Sequence, residues 1–412
     1  MSQKLVFRLA FLLSLLVEFS TAQNKKFVCS YSPSKAAPIG YQPEFIPLEV
    51  CPYVIFKAFS FPSVVGRQML FNDNDKLAFS RLVSSVRKRS NTVRVVASID
   101  GSARDFTTTS SAIVRRKAFV QAAITLLLEL DADAIELNWQ SPGNSGVGSG
   151  DGLDRITMVQ LLQDLRQAVN AASKSIQNRQ RELWFRGSLH PNVIETAYNL
   201  LDVCELTDHV TLDPNTADSL ENAHAPLRGT PQVLPVQIPI ITQLFGNSIE
   251  PGTGFNTTTQ RWIDAGCAPK KLLLGIGLHG VRKAYSPGIR SFLGDRVGFM
   301  TADTAYLEHR ELCTLIKEEG WSYAWDEYGG MPYVTRALQN GQTERISYED
   351  LDSLRLKMDM VTQKRFGGIY VDFVHSDDIY GRCGQAYLMI AYLSSRVRSI
   401  PSDIGFAIEW IQ

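Results

Sequence analysis

The sequence predicts an α/β fold, a (β/α)8 TIM barrel with a small α+β insertion domain between the seventh strand and its helix. Three observations lead there: eight short β-rich runs, a helical pattern after most of them, and no sharp linker anywhere between. Alternating strands and helices imply a parallel sheet with helices packed outside it, and eight such units close the sheet into a barrel. The 412 residues are 44% hydrophobic, enough for a substantial core, and barrels with insertions reach this length.

The runs come in order. Lys26–Tyr31 and Tyr53–Phe59 flank a proline-rich loop, and a helical pattern around Leu77–Arg89 follows with Leu82, Val83 and Val86 on one side. Thr92–Ile99 is the third predicted strand. Ser111–Leu130 reads as helix because Val120, Ile124 and Leu127 share one face. The fourth strand follows directly, in the stretch Ala132–Pro142. Met158, Leu162, Leu165 and Val169 mark the next helix, ahead of strands at Glu182–Leu189 and His209–Leu212. A helix ending in Trp262 and Ile263 leads into Lys271–Gly277, the seventh strand. Leu351, Leu354, Met358 and Val361 form a last apolar face before Gly367–Phe373, the eighth.

One interval breaks the rhythm. Residues 280–347 hold Trp321, Tyr323, Trp325, Pro332 and Tyr333 in short β-like pieces. A structureless loop of that length is uncommon in a compact domain, so the interval is expected to fold as the insertion. The barrel then takes 24–279 and 348–405.

Compartment is read from the start of the chain and from its cysteines. Lys4 and Arg8 precede an apolar run, Leu9–Phe19, and the small residues Ser20, Thr21 and Ala22. That is the layout of a secretory signal peptide over 1–22, too short to span a bilayer. A secreted, extracellular protein without a membrane span is expected. Six cysteines in an oxidising compartment are expected to form disulfides. The sequon at Asn256 lies in a Gly/Thr-rich stretch and is expected to carry a glycan. A formal net charge of zero gives no electrostatic reason to expect nucleic acid or an anionic membrane as a partner.

The most informative stretch is the fourth strand, A-D-A-I-E-L-N-W-Q-S-P. Side chains alternate across a strand, so Glu136, Asn138 and Gln140 must line one face between apolar neighbours. Acid and amide groups aimed into a sheet interior are unfavourable unless paired or used.

The stretch resembles the glycoside hydrolase family 18 signature D-G-x-D-x-D-W-E, with Asp133, Glu136, Asn138 and Gln140 at its four polar positions. Other segments match that family in order. F-V-C-S-Y with Cys51, D-H-V-T-L-D at 208–213, A-H-A-P-L around Pro226 and K-K-L-L-L-G-I-G-L-H-G are four of them. W-D-E with P-Y-V, and G-G-I-Y-V-D-F-V-H-S-D-D, complete the set. The resemblance implies a chitinase-like barrel with bridges Cys29–Cys51 and Cys313–Cys383, each worth about 2–4 kcal/mol. Cys204 and Cys267 precede the neighbouring sixth and seventh strands, so they either form a third bridge or stay as two buried thiols.

The departures bear on chemistry. The resemblance puts the family's catalytic glutamic acid at Gln140, an amide with no proton to give. The aspartate before it has become Asn138, so no catalytic residue is assigned. Aromatic positions that stack on sugars have changed as well: Ser30, Ser102, Leu212, His279 and Asp372 stand where the family carries Tyr or Trp. Tyr31 remains near the first of them. The barrel mouth is therefore expected to contain Tyr31, Glu136, Asn138, Gln140, Asp213, His279 and Asp372, with His375 nearby. These groups either close on one another as a hydrogen-bonded plug or form a new polar site. No ligand spacing for a metal is present, and no cofactor is expected.

The leading reading is a secreted non-hydrolytic chitinase-like monomer, a signalling, growth-factor-like or matrix-associated factor with an extracellular protein or glycan partner. One alternative is a lectin for chitin oligomers or another glycan. A further alternative is a glycosidase of changed specificity built on Glu136, Asp213 or Asp372.

Overall fold

The structure is a computed structural model describing residues 25–139, 142, 152–175, 179–216, 225–228, 254–285, 305–318 and 320–399. Residues 1–22 and Gln140 lie outside the described residues. Eight parallel strands close into a barrel in sequential order. They are β1 (Lys26–Tyr31), β2 (Tyr53–Phe59), β3 (Arg94–Asp100), β4 (Ala134–Asn138), β5 (Glu182–Ser188), β6 (His209–Asp213), β7 (Leu272–Gly277) and β8 (Gly368–Asp372). Every strand expected from the sequence is present, with ends shifted by a residue or two.

Alternation sets what fills the barrel. Val28, Ile55, Val96, Ala134, Trp184, Leu273 and Tyr370 point inward and pack together as an apolar middle layer. Below it, at the amino-terminal ends of the strands, Lys26 donates to the Tyr53 hydroxyl at 2.9 Å and Arg94 pairs with Glu182 at 2.5 Å. Above it lie the polar residues described in the next section. Residues of the opposite parity, such as Ile135 and Leu137 of β4, join the larger core between sheet and helices. Gly275 of β7 is where β6 comes closest: a Cβ there would sit 2.3 Å from the Leu212 carbonyl oxygen.

The outer helices start and stop where their sequences direct. The helix Asp73–Arg89 opens with the Asn72 side chain accepting from the Asn74 N–H, carries Asp73 and Asp75 in its first turn, and ends in Arg87, Lys88 and Arg89. Its inner face is Phe79, Leu82, Val83 and Val86, and burial of each such side chain contributes roughly 1.5–3 kcal/mol. The helix expected over Ser111–Leu130 is present as Ile113–Glu129, and a short helix that was not expected, Ala103–Ser110, precedes it, begun by a Ser102/Asp105 capping box.

After β7 the chain builds a second sheet. Its five antiparallel strands lie in the order Ala305–Glu308, His279–Tyr285, Thr343–Ser347, Met331–Ala337 and Ser322–Asp326. Leu312, Val334, Ile346 and Tyr348 give it a small core of its own. All six cysteines are bridged: Cys29–Cys51 joins β1 to the segment before β2, and Cys313–Cys383 ties the helix His309–Leu315 to the segment after β8. Cys204–Cys267 is also formed, joining the helix Leu200–Leu206 before β6 to the segment before β7, so the open choice between bridge and free thiols resolves to a bridge. No helix among the described residues is long and apolar enough to cross a membrane.

Candidate functional site at the carboxyl end of the barrel

The inward parity of β4 brings Glu136 and Asn138 to the upper barrel interior, both buried. Glu136 accepts from the Ser98 hydroxyl of β3 at 2.6 Å and from the Thr211 hydroxyl of β6. Asn138 donates its amide to Asp100 at 3.0 Å.

At the centre sits Arg186 of β5, with no exposed surface. Its Nε faces Glu136 at 3.4 Å, and its Nη1 faces Asp213 at 3.4 Å, the Tyr370 hydroxyl at 3.1 Å and Asp372 at 4.0 Å. The guanidinium also lies 4.9 Å from the centre of the Tyr370 ring. Burial alone would lower its pKa, but Glu136, Tyr370, Asp213 and Asp372 together hold it well above the ordinary arginine value.

A second cation completes the layer. Lys57 of β2 donates to Asp372 at 3.1 Å, and the Asp372 carboxylate also accepts from Ser30 at 3.4 Å and Asn215 at 2.9 Å. The Asn215 side chain spans two acids, donating to Asp213 at 3.0 Å as well. Burial pushes the Asp372 carboxyl up, yet Lys57 and Arg186 pull it the other way, well below the usual carboxylate range. Asp372 is thus held ionised and has no proton to donate.

A barrel whose carboxyl end carries the polar groups of β4, β6 and β8 in this order has a counterpart among known proteins. Residues 26–377 match the family model described as Glycosyl hydrolases family 18. The chain belongs to that family.

Family 18 relatives include both enzymes and proteins named otherwise. The chain is 25% identical over 382 residues to an endochitinase of Manduca sexta, covering 87% of this chain and 64% of that protein's length. It is 23% identical over 395 residues to an oviduct-specific glycoprotein of Sus scrofa, covering 92% of this chain and 70% of the relative. Among solved structures, the Ostrinia furnacalis Group IV chitinase superposes with a TM-score of 0.73 at 18% identity, over 91% of this chain and all of that one. Human YKL-39, described as a pseudo-chitinase with retained chitooligosaccharide binding properties, gives a TM-score of 0.71 at 17% identity, again over 91% of this chain and all of the other. At such identities the structural likeness establishes the fold.

The expected site residues divide three ways. Glu136, Asn138, Asp213 and Asp372 come together in the barrel. Asp133 does not. It lies three residues before Glu136, hence on the other side of the strand, at the opposite end of the barrel. There its carboxylate accepts from Arg87 at 2.8 Å, from Arg179, and from the Val95 N–H at 2.7 Å. Tyr31 is also displaced from its expected position. Ser30 takes the inward parity, so Tyr31 faces outward beside Tyr41 and His375 and lines an outer groove of about 750 Å³ against the helix Asp73–Arg89. His279 opens the second sheet, opposite Glu308, with its ring against Tyr306. Asn256 is exposed but lies in the first turn of the helix Phe255–Asp264 rather than in a loop, and the Thr258 hydroxyl of its sequon bonds the Gly254 carbonyl.

Arg186, Lys57, Asn215 and Tyr370 were not anticipated from the sequence. Two left a trace. Arg186 stands in E-L-W-F-R-G-S two residues after the inward Trp184, and Lys57 interrupts the apolar Y-V-I-F-K-A-F. A charged residue inside a buried strand needs a partner. Asn215 follows β6 in a short 3-10 turn, and nothing in its local sequence marks it. A grouping of potential metal donors among the described residues, Cys313, Asp378 and Cys383, has both sulfurs in one disulfide, which leaves a single carboxylate.

Chemically, the layer is a set of ionised and hydrogen-bonded groups already turned toward one another. General acid catalysis at a glycosidic oxygen needs a carboxylic acid that holds a proton near neutral pH. Asp372 is the reverse of that, and a guanidinium occupies the space between Glu136 and Asp213.

Proposed function

We propose that this chain is a secreted, non-hydrolytic chitinase-like protein that acts outside cells as a signalling, growth-factor-like or matrix-associated factor. The observation that carries the reading is Arg186, buried among Glu136, Asp213 and Asp372. Gln140, where the family resemblance puts the catalytic acid, supports it from the sequence. Losing a positioned general acid removes about 10²–10⁴ in rate, and an ion-paired plug works against entry of a sugar ring at the same place. On this reading Glu136, Asn138, Asp213 and Asp372 are a closed cleft, residues 280–347 form a separate insertion domain, and Asn256 carries a glycan. The protein works as a monomer, with an extracellular protein or glycan as partner.

The test is hydrolysis of N-acetyl chitooligosaccharides by the purified chain. We expect no turnover above the buffer rate. Turnover that Asp213→Ala abolishes would make the protein a glycosidase of changed specificity and end this proposal.

A second reading, glycan binding without turnover, is favoured by the retained chitooligosaccharide binding stated for human YKL-39. Calorimetric titration with chitin oligomers separates the two. Saturable micromolar binding that is altered by Asp372→Ala would favour the lectin.

A further inference from the structure

The hairpin after β2 and the helices after β3 and β4 carry an uncommon surface beside the barrel mouth. Large aliphatic side chains are exposed there: Val64, Val65 and Leu70 on a two-stranded hairpin, Ile113 and Val114 at the start of a helix, and Ile156 at the start of the next. Val114 is 76% exposed and Val65 57%. Isolated exposed aliphatics are ordinary, whereas a contiguous set marks an interaction surface.

The elements that carry these residues pack on one another. The hairpin strand Gln68–Leu70 packs beside the helix Ile113–Glu129, and that helix packs on Asp154–Ser175. The short helix Ala103–Ser110 lies against both, with Thr107 donating to Asp154 at 2.7 Å and Ser110 bonded to Thr157 at 2.8 Å. All four elements begin from the carboxyl end of the barrel, so the aliphatic side chains share one end of the molecule.

Charge decides what could cover them. Arg67 lies in the hairpin turn, Arg104, Arg115 and Lys117 lie around the helix starts, and Arg155 precedes Ile156; all five are exposed. No ion pair to any of them occurs among the described residues. Of the neighbouring acids, Asp73 is ion-paired with Lys76, while Asp75 accepts from the Ser60 N–H and Asp105 lies in its capping box. Neither of those two has an ion-paired cation among the described residues, so the five cations outnumber the carboxylates left to oppose them. In a chain of zero net charge this end is therefore both greasy and basic.

We propose that this surface docks on an anionic bilayer, inserting the hairpin tip and the two helix starts among the lipid headgroups. A protein partner is the weaker match. Protein interfaces concentrate aromatic side chains, whereas the exposed apolar residues of this patch are aliphatic. Aliphatic insertion and attraction of basic groups to anionic lipid act together in interfacial binding.

The experiment is flotation of the full mature chain with phosphatidylcholine vesicles, with and without about one-third phosphatidylserine. Binding is expected to the phosphatidylserine vesicles and to fall steeply as salt rises, because exposed charges are screened over about 10 Å at 0.1 M. Val65→Asn with Val114→Asn should weaken it at least tenfold, each exposed valine contributing roughly that factor when buried in lipid. Both side chains face solvent, so the unfolding temperature should not change; Val64→Asn with Ile156→Asn is an independent second pair. Absence of flotation with phosphatidylserine vesicles overturns the proposal. So does binding that both pairs leave unaltered, which would mean attraction by the cations alone, as to an acidic protein or a sulfated glycan.

Discussion

The two ends of the barrel solve opposite electrostatic problems with the same strand. At the amino end, Asp133, just before β4, is one buried acid approached by several arginines that reach solvent. Arg87, Arg94 and Arg179 contact it with side chains 24–32% exposed. At the carboxyl end, Glu136, three residues later, belongs to a group of acids around one arginine with no exposure at all. The lower arrangement is a clamp that water can repair. The upper one has no such reserve, since a buried charge that loses its partner cannot turn to solvent.

Removing the central cation should therefore have the largest effect. Arg186→Met is expected to destabilise the fold by about 3–5 kcal/mol, read by chemical denaturation, because Glu136, Asp213 and Asp372 would be left buried with Lys57 as their remaining cation among the residues described here. A change under about 1 kcal/mol would mean that the upper end tolerates the loss as the lower end does, and the contrast would collapse.

Asp133→Asn tests the other side of the comparison. The amide can still accept from the Val95 N–H, and Arg87 can still bond the Val93 carbonyl at 2.7 Å. A loss of about 1–3 kcal/mol is expected, smaller than at Arg186. A larger loss at Asp133 would show that the clamp, not the plug, is the keystone.

The smallest expected effect concerns pH. His209, in the lower interior against Trp184, is held neutral: burial foremost, then Lys26, lowers its pKa from 6.5 to about 3. The unfolded chain binds that proton more readily than the folded one. The stability it contributes is complete above about pH 6.5 and is lost progressively as pH falls toward the folded value. Unfolding at about pH 7 and about pH 5.5 should differ by about 1 kcal/mol from this group, and His209→Gln should remove that difference. A slope unchanged in the variant would transfer the acid sensitivity to other groups.

Much of this was legible beforehand, and the reason is local. The eight strands and their helices follow from short-range periodicity and caps, which each segment expresses by itself. The alternation of Glu136 and Asn138 was equally local, and so was the inward direction that it implied. Asp133 keeps its place in the family frame, and the pleat turns it away from Glu136, in keeping with an alternation that put only Glu136, Asn138 and Gln140 on one face. Tyr31 shows the limit of carrying over a position without checking parity, Ser30 having taken the inward one. Lys57 and Arg186 were visible as charges in apolar strands, but their partners were not, because those lie on strands far away in sequence.

What the sequence by itself determined is the barrel, the family, and the acids and amide that β4, β6 and β8 deliver to its carboxyl end. Propensity, periodicity and the order of motifs are carried by neighbouring residues. Only the tertiary structure decided that Arg186 would stand among three acids from β4, β6 and β8, and that Cys204 would meet Cys267. Such pairings depend on how the closed sheet brings distant strands into register, and no short stretch of the chain encodes that distance.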